Sequence, residues 1–162
     1  LYNRINGIDN EKIQIAQSKK SIGLGRTFDE ESGRDEIKRR INILARHLTF
    51  LAYKGGHKPL TYALKIRYKY GQKSYDFINT NRLFNEQYFK QELQNLFTKI
   101  DIHPTHSIIQ LSITISNFQE NRYTTLDLFS YEDDKKKAKL TDSMQKLRDK
   151  FGVDIIKSGG EL

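Results

Sequence analysis

Cysteine is absent from this 162-residue chain, which excludes a disulfide framework and cysteine-ligated zinc and fits a reducing compartment. No apolar run approaches the roughly 20 residues needed to span a bilayer. Leu1 to Asn10 lack the cationic start and apolar stretch of a signal peptide. There is no internal repeat at periods of tens of residues, no loop of the P-loop kind and no nucleophilic constellation. These absences leave a cytoplasmic chain without a membrane partner, long enough for one domain plus tails.

Charge is present in abundance and is unevenly placed. Hydrophobic residues make up 36% and charged residues 30%, so a core can form under a heavily ionised surface. The formal net charge is +8. Residues 19–117 hold 17 Lys/Arg against 9 Asp/Glu, whereas residues 1–18 balance at 2 against 2 and residues 118–162 at 9 against 9. The whole excess therefore sits in the middle of the chain. A polyanion is the natural partner, because Lys/Arg that neutralise phosphates release condensed counterions.

Composition divides the chain into residues 1–18, 19–118, 119–139 and 140–162. The first and third segments read as linkers, the third because Glu132-Asp133-Asp134-Lys135-Lys136-Lys137 is a solvated charge run. The last holds a short helix and an apolar tail. In the second, Ile37, Ile41, Leu44, Ala45, Leu48, Leu51 and Ala52 recur at helical spacing, with Ser32 as cap candidate and Gly55-Gly56 as the stop. Phe89, Leu93, Leu96, Phe97 and Ile100 mark a second helix, capped by Asn85 and followed by Pro104.

Strands alternate with these helices. Leu60, Tyr62, Leu64, Ile66, Tyr68 and Tyr70 take one phase of residues 60–70, with Lys65, Arg67 and Lys69 in the other. Gly71-Gln72 turns the chain into residues 73–83, with Tyr75 and Phe77 in phase. Ile109, Leu111, Ile113 and Ile115 alternate with Gln110, Ser112, Thr114 and Ser116, and a first strand covers residues 21–28. The order β-α-β-β-α-β predicts an α+β fold: a four-stranded antiparallel sheet, two helices on one face, and a C-terminal helical tail. The other face stays open. It carries Lys65, Arg67 and Lys69 about 7 Å apart, a spacing close to that of phosphates on one DNA strand, with Ser112 and Thr114 as hydroxyl donors beside them.

The first strand has its own signature. Lys19-Lys20 leads into Ser21-Ile22-Gly23-Leu24-Gly25-Arg26-Thr27-Phe28, with both glycines on one face. Glycine weakens a strand, so it makes sense where another backbone approaches closely. Phosphate docked beside Lys20, Ser21 and Arg26 supplies such a reason.

The stretch Lys20-Ser21-Ile22-Gly23, followed by Gly25-Arg26-Thr27-Phe28, resembles the opening strand of the little-finger domain of Y-family translesion DNA polymerases of the UmuC/DinB kind. Residues 1–9 resemble the end of that family's thumb domain, which closes on a similar Asn-Gly-Ile-Asp. Leu140, Met144, Leu147 and Phe151, then Gly152 and Asp154-Ile155-Ile156, resemble the tail of the UmuC-like branch. The resemblance implies a non-catalytic piece of a DNA-directed DNA polymerase, a nucleotidyltransferase acting in DNA repair and the SOS response. It implies no cofactor in this piece, with Mg held by palm carboxylates elsewhere. It also implies that template-primer duplex is gripped through Lys19, Lys20, Ser21, Gly23, Gly25 and Arg26, through Lys65, Arg67 and Lys69, and through Ser112 and Thr114.

A second motif, Thr125-Leu126-Asp127-Leu128-Phe129, resembles the bacterial clamp-binding pentapeptide Gln-Leu-x-Leu-Phe, with Thr125 in place of the glutamine. Two leucines and an aromatic on an extended segment can fill a preformed apolar groove, here on the β sliding clamp. An alternative is a strand that covers the core. Metal chemistry has little support, since His103, His106 and Asp101 are a poor ligand set and Asp133-Asp134 lies in the charge run. Two further alternatives are a stand-alone RNA-binding module, which places aromatics on its open face, and an interaction domain. The aromatics of residues 60–70 fall in the core phase, which argues against the RNA module.

Overall fold

In the computed structural model, the described residues are 19–119 and 129–162. The order is β1 (Ser21–Glu31), α1 (Arg34–Lys54), β2 (Pro59–Tyr68), β3 (Lys73–Asn79), α2 (Glu86–Ile100), β4 (Ile108–Phe118), α3 (Tyr131–Phe151) and a 3-10 turn, Gly159–Glu161. The strands form one antiparallel sheet in the order β1-β4-β2-β3. The expected α+β architecture is thus present, with β1 and β3 as the free edges.

Both helices lay their apolar stripes on one sheet face. Ile37, Ile41, Ala45, Leu48 and Ala52 of α1 and Phe89 and Leu93 of α2 are fully buried against Tyr62, Leu64, Ile66, Leu111, Ile113 and Ile115. Burial of each Ile, Leu or Phe side chain is worth about 1.5–3 kcal/mol before ordering costs, so this layer fixes the strand phases. Gly55 caps α1 and Gly56 adopts φ +66°, as the double glycine predicts. Asn85 caps α2, its side chain accepting a 2.8 Å bond from the Tyr88 amide.

The expected Ser32 cap does not form. Gly33 occupies the N-cap of α1, the Gly33 amide donates to the Glu31 carboxylate, and the Ser32 hydroxyl pairs with that of Ser107. β2 stops at Tyr68 rather than Tyr70, because its pairing to β4 shifts between Arg67 and Tyr68. Tyr70, expected in the core phase, is therefore 71% exposed in the turn.

The C-terminal region departs furthest from expectation. The charge run is no linker: it opens the 21-residue helix α3, with Glu132, Asp133 and Asp134 at the helix's positive end and Lys137 bonded to Asp133 one turn on. The stripe of Leu140, Leu147 and Phe151 is exposed. The helix docks on α1 and α2 through polar residues instead, burying Asp134, Thr141, Gln145 and Arg148. Asp134 takes two bonds from Arg82, at 2.6 and 2.9 Å. Arg148 bonds Glu86, which also holds Lys90 and Gln145. Glu161 in the final turn bonds Arg46 and Lys90 in turn, so the tail closes a buried ionic network over the outer side of the helices.

Candidate nucleic-acid interface

The pairing registers lay out the open face rank by rank. Ser21, Ser116, Thr61 and Asn79 form one rank across the sheet, and Gly23, Thr114, Ala63 and Phe77 the next. Gly25, Ser112, Lys65 and Tyr75 follow, then Thr27, Gln110, Arg67 and Lys73. None of these positions is Asp or Glu. From β1 to β3, a width of roughly 14 Å at the usual strand spacing, the surface passes from bare backbone through hydroxyls and cations to aromatic rings.

The cations here differ from the arginines of the helices. Among the described residues no carboxylate lies within 4 Å of Lys65, Arg67 or Lys73, whereas the helical side is laced with pairs. Arg34 is bonded twice to Asp101, at 2.7 and 3.1 Å. Arg39 and Arg40 share Glu36, whose carboxyl their hydrogen bonds pull down to about 2. Arg67 Nε is buried without a hydrogen-bond partner among the described residues. The arginines of the helices are thus paired internally, whereas Lys65, Arg67 and Lys73, like exposed lysines such as Lys135 and Lys139, have no carboxylate partner among the described residues and remain available to a polyanion.

The glycines serve this face unequally. A Cβ on Gly23 meets Thr114 Oγ1 at 3.1 Å, so the sheet itself crowds that position. A Cβ on Gly25 meets nothing closer than 3.5 Å, an ordinary contact. Packing therefore does not require glycine at 25.

Ser21, Gly23, Gly25, Lys65, Arg67, Ser112 and Thr114 lie together on the open face. Lys19 and Lys20 are exposed just ahead of β1. Two expected residues lie elsewhere. Arg26 pairs with Leu111 on the helical face, where it lines a cleft of about 400 Å³ with Leu24, Phe28, Arg40, Leu44 and His47. Lys69 lies past the end of β2 and bonds Glu30 at 2.5 Å. Lys73, Tyr75 and Phe77 join this face as well, because β3 pairs with β2 at Arg67, Lys65 and Ala63 across the turn in which Gly71 takes φ +88°. Thr125 to Leu128 lie outside the described residues, and Phe129 is exposed ahead of α3.

The loop histidines do not face a ligand cluster. His103 and His106 stack on each other at 4.9 Å and their carbonyls accept from Arg34, while Asp101 also accepts from the Tyr68 hydroxyl. Among the described residues no group of three His, Asp or Glu could hold a metal. No helix there is long and apolar enough to cross a membrane.

The family described as the impB/mucB/samB family C-terminal domain matches residues 19–128. A DNA polymerase IV of Oceanobacillus iheyensis is 28% identical across 98% of this chain, and one of Bacillus anthracis is 23% identical across all of it. The chain spans 39% and 40% of those two relatives. Among solved structures, a complex of the β-clamp processivity factor with the little-finger domain of PolIV aligns at a TM-score of 0.50 and 14% identity, over 67% of this chain and 97% of that one. Strand order, helix placement and the sequence match over the whole sheet domain agree, and this chain belongs to the impB/mucB/samB C-terminal domain family, with the fold of a polymerase little finger.

Proposed function

We propose that the chain is the DNA-gripping little finger of a translesion polymerase, holding template-primer duplex against its open sheet face. The observation that carries this reading is an acid-free face whose cations, Lys65, Arg67 and Lys73, have no carboxylate partner among the described residues. Phosphate contacts from lysine, arginine, hydroxyl and backbone amide position a duplex without reading its sequence. Affinity therefore falls steeply with salt, and scrambling the duplex sequence changes it little. Fluorescence anisotropy of labelled primer-template from low to physiological salt tests this, and an affinity indifferent to salt overturns it.

Catalysis belongs to the rest of the polymerase, where palm carboxylates holding Mg would transfer the nucleotide. In this reading the little finger supplies grip and Thr125-Leu126-Asp127-Leu128-Phe129 supplies the tether to the sliding clamp. The PolIV little finger that this fold resembles was solved with its clamp. Two leucines and a phenylalanine are the apolar anchors such a groove takes. Leu128→Ala with Phe129→Ala is expected to abolish capture of the chain by immobilised clamp while leaving DNA affinity unchanged. Undiminished capture would remove the tether from the proposal.

A further inference from the structure

Tyr75 and Phe77 stand apart from the other aromatics of the sheet. On the core side Tyr62 and Tyr68 are fully buried, whereas Tyr75 is 60% and Phe77 49% exposed on the open face. They sit side by side on the free edge strand, ring centroids 6.3 Å apart. Their register partners on β2 are Lys65 and Ala63, and Lys73 with Arg67 completes the adjoining rank. Between them in sequence, Asp76 points to the helical side and is held by Lys99 at 2.6 Å. The edge thus offers two rings and three cations with no acid on the same face.

Exposed rings beside phosphate-binding cations are the components of a stacking platform for unpaired nucleotides. A duplex does not offer its base faces, because neighbouring pairs cover them. It offers them where pairing stops. Resting on the duplex-gripping reading above, we infer that Tyr75 and Phe77 stack on unpaired bases of the template strand just beyond the primer junction, next to the duplex phosphates that Lys65, Arg67 and Lys73 hold. The face then recognises a junction rather than duplex as such: glycines, hydroxyls and the three cations lie against the paired part, and the two rings of the β3 edge meet the single strand. This also reverses one inference from sequence, since the open face does carry aromatics, supplied by β3 rather than β2.

The test compares anisotropy titrations of a blunt duplex with those of the same duplex carrying a single-stranded 5′ extension. The wild-type chain is expected to bind the extended DNA about tenfold more tightly, the gain one stacked base supplies. Tyr75→Ala with Phe77→Ala should abolish that ratio and leave blunt-duplex affinity within about twofold, since the phosphate contacts remain. Tyr75→Phe should retain the ratio and Phe77→Leu reduce it, separating ring stacking from apolar bulk. Thermal unfolding of each variant checks that the fold is intact. No preference in the wild type, or an equal loss for both DNAs in the double variant, overturns the inference. So does tighter binding to single-stranded RNA than to the extended DNA, or a wild-type dimer that the double variant dissolves in sedimentation. If Lys65, Arg67 and Lys73 can be neutralised without loss on blunt duplex, the duplex-gripping reading fails, and that outcome is independent of the ratio.

Discussion

At the scale of single residues, the two glycines of β1 sit under different packing constraints. Gly25 has room for a methyl group within ordinary contact distance, and alanine in a strand interior is favoured over glycine by about 0.5–1 kcal/mol. Gly25→Ala is therefore expected to raise the urea midpoint slightly while weakening duplex binding several-fold, and Gly25→Val to weaken it further. Gly23→Ala has no such stability gain, because the new methyl meets Thr114 Oγ1 at 3.1 Å. A Gly25→Ala chain that binds DNA as well as wild type would mean that nothing approaches β1 from outside. Lys69, by contrast, is held by Glu30, so Lys69→Ala should cost less affinity than Lys73→Ala.

At the scale of elements, what the sequence reveals depends on how each segment is held. Strands β2 and β4 and helices α1 and α2 are legible because apolar residues at period 2 or 3.6 make them, and one shared core fixes every phase. Asn85 is legible for a local reason, since its side chain satisfies an amide three residues on. Asn85→Ala is expected to lower unfolding free energy by about 1 kcal/mol in urea titration, and an unchanged midpoint would contradict the capping role. Helix α3 is illegible by the same logic. Its buried stripe is Asp134, Thr141, Gln145 and Arg148, whose partners Arg82 and Glu86 are some 50 to 60 residues away in sequence, so hydrophobic periodicity points to the wrong face. The face of Tyr75 and Phe77 is hidden differently: β3 keeps the parity of β2 across the turn, which puts Ser74 and Asp76 on the helical side and the two aromatics on the open one, against what their apolar character suggests.

At the scale of the whole molecule, the ionic layer under the tail makes stability depend on acidity. Burial pushes the Glu161 carboxyl up, but hydrogen bonds from Lys90 and Ser158 and the Lys90 charge outweigh it and hold the group at about 2. Burial likewise raises Glu86, and Arg148 with Lys90 brings it below the usual range. A carboxyl depressed in the fold stabilises it fully above its unfolded value and loses that contribution as pH falls towards the folded value. Stability should therefore decline between about pH 5 and pH 2, with amides of residues 131–161 losing hydrogen-exchange protection before those of the sheet. Glu161→Gln should flatten the decline, whereas uniform loss across tail and sheet would contradict a separately held tail. Because this layer lies behind the helices, DNA affinity at neutral pH should survive its weakening.

If cations on this sheet face grip phosphate, the salt dependence of DNA binding reads that grip most directly. Replacing Lys65, Arg67 and Lys73 with alanine removes three phosphate contacts, so the slope of log affinity against log salt on primer-template duplex should become shallower by about 3. The thermal midpoint should change little, because among the described residues none of the three is paired to a carboxylate. A folded triple variant with the wild-type slope and affinity would place the DNA on another surface.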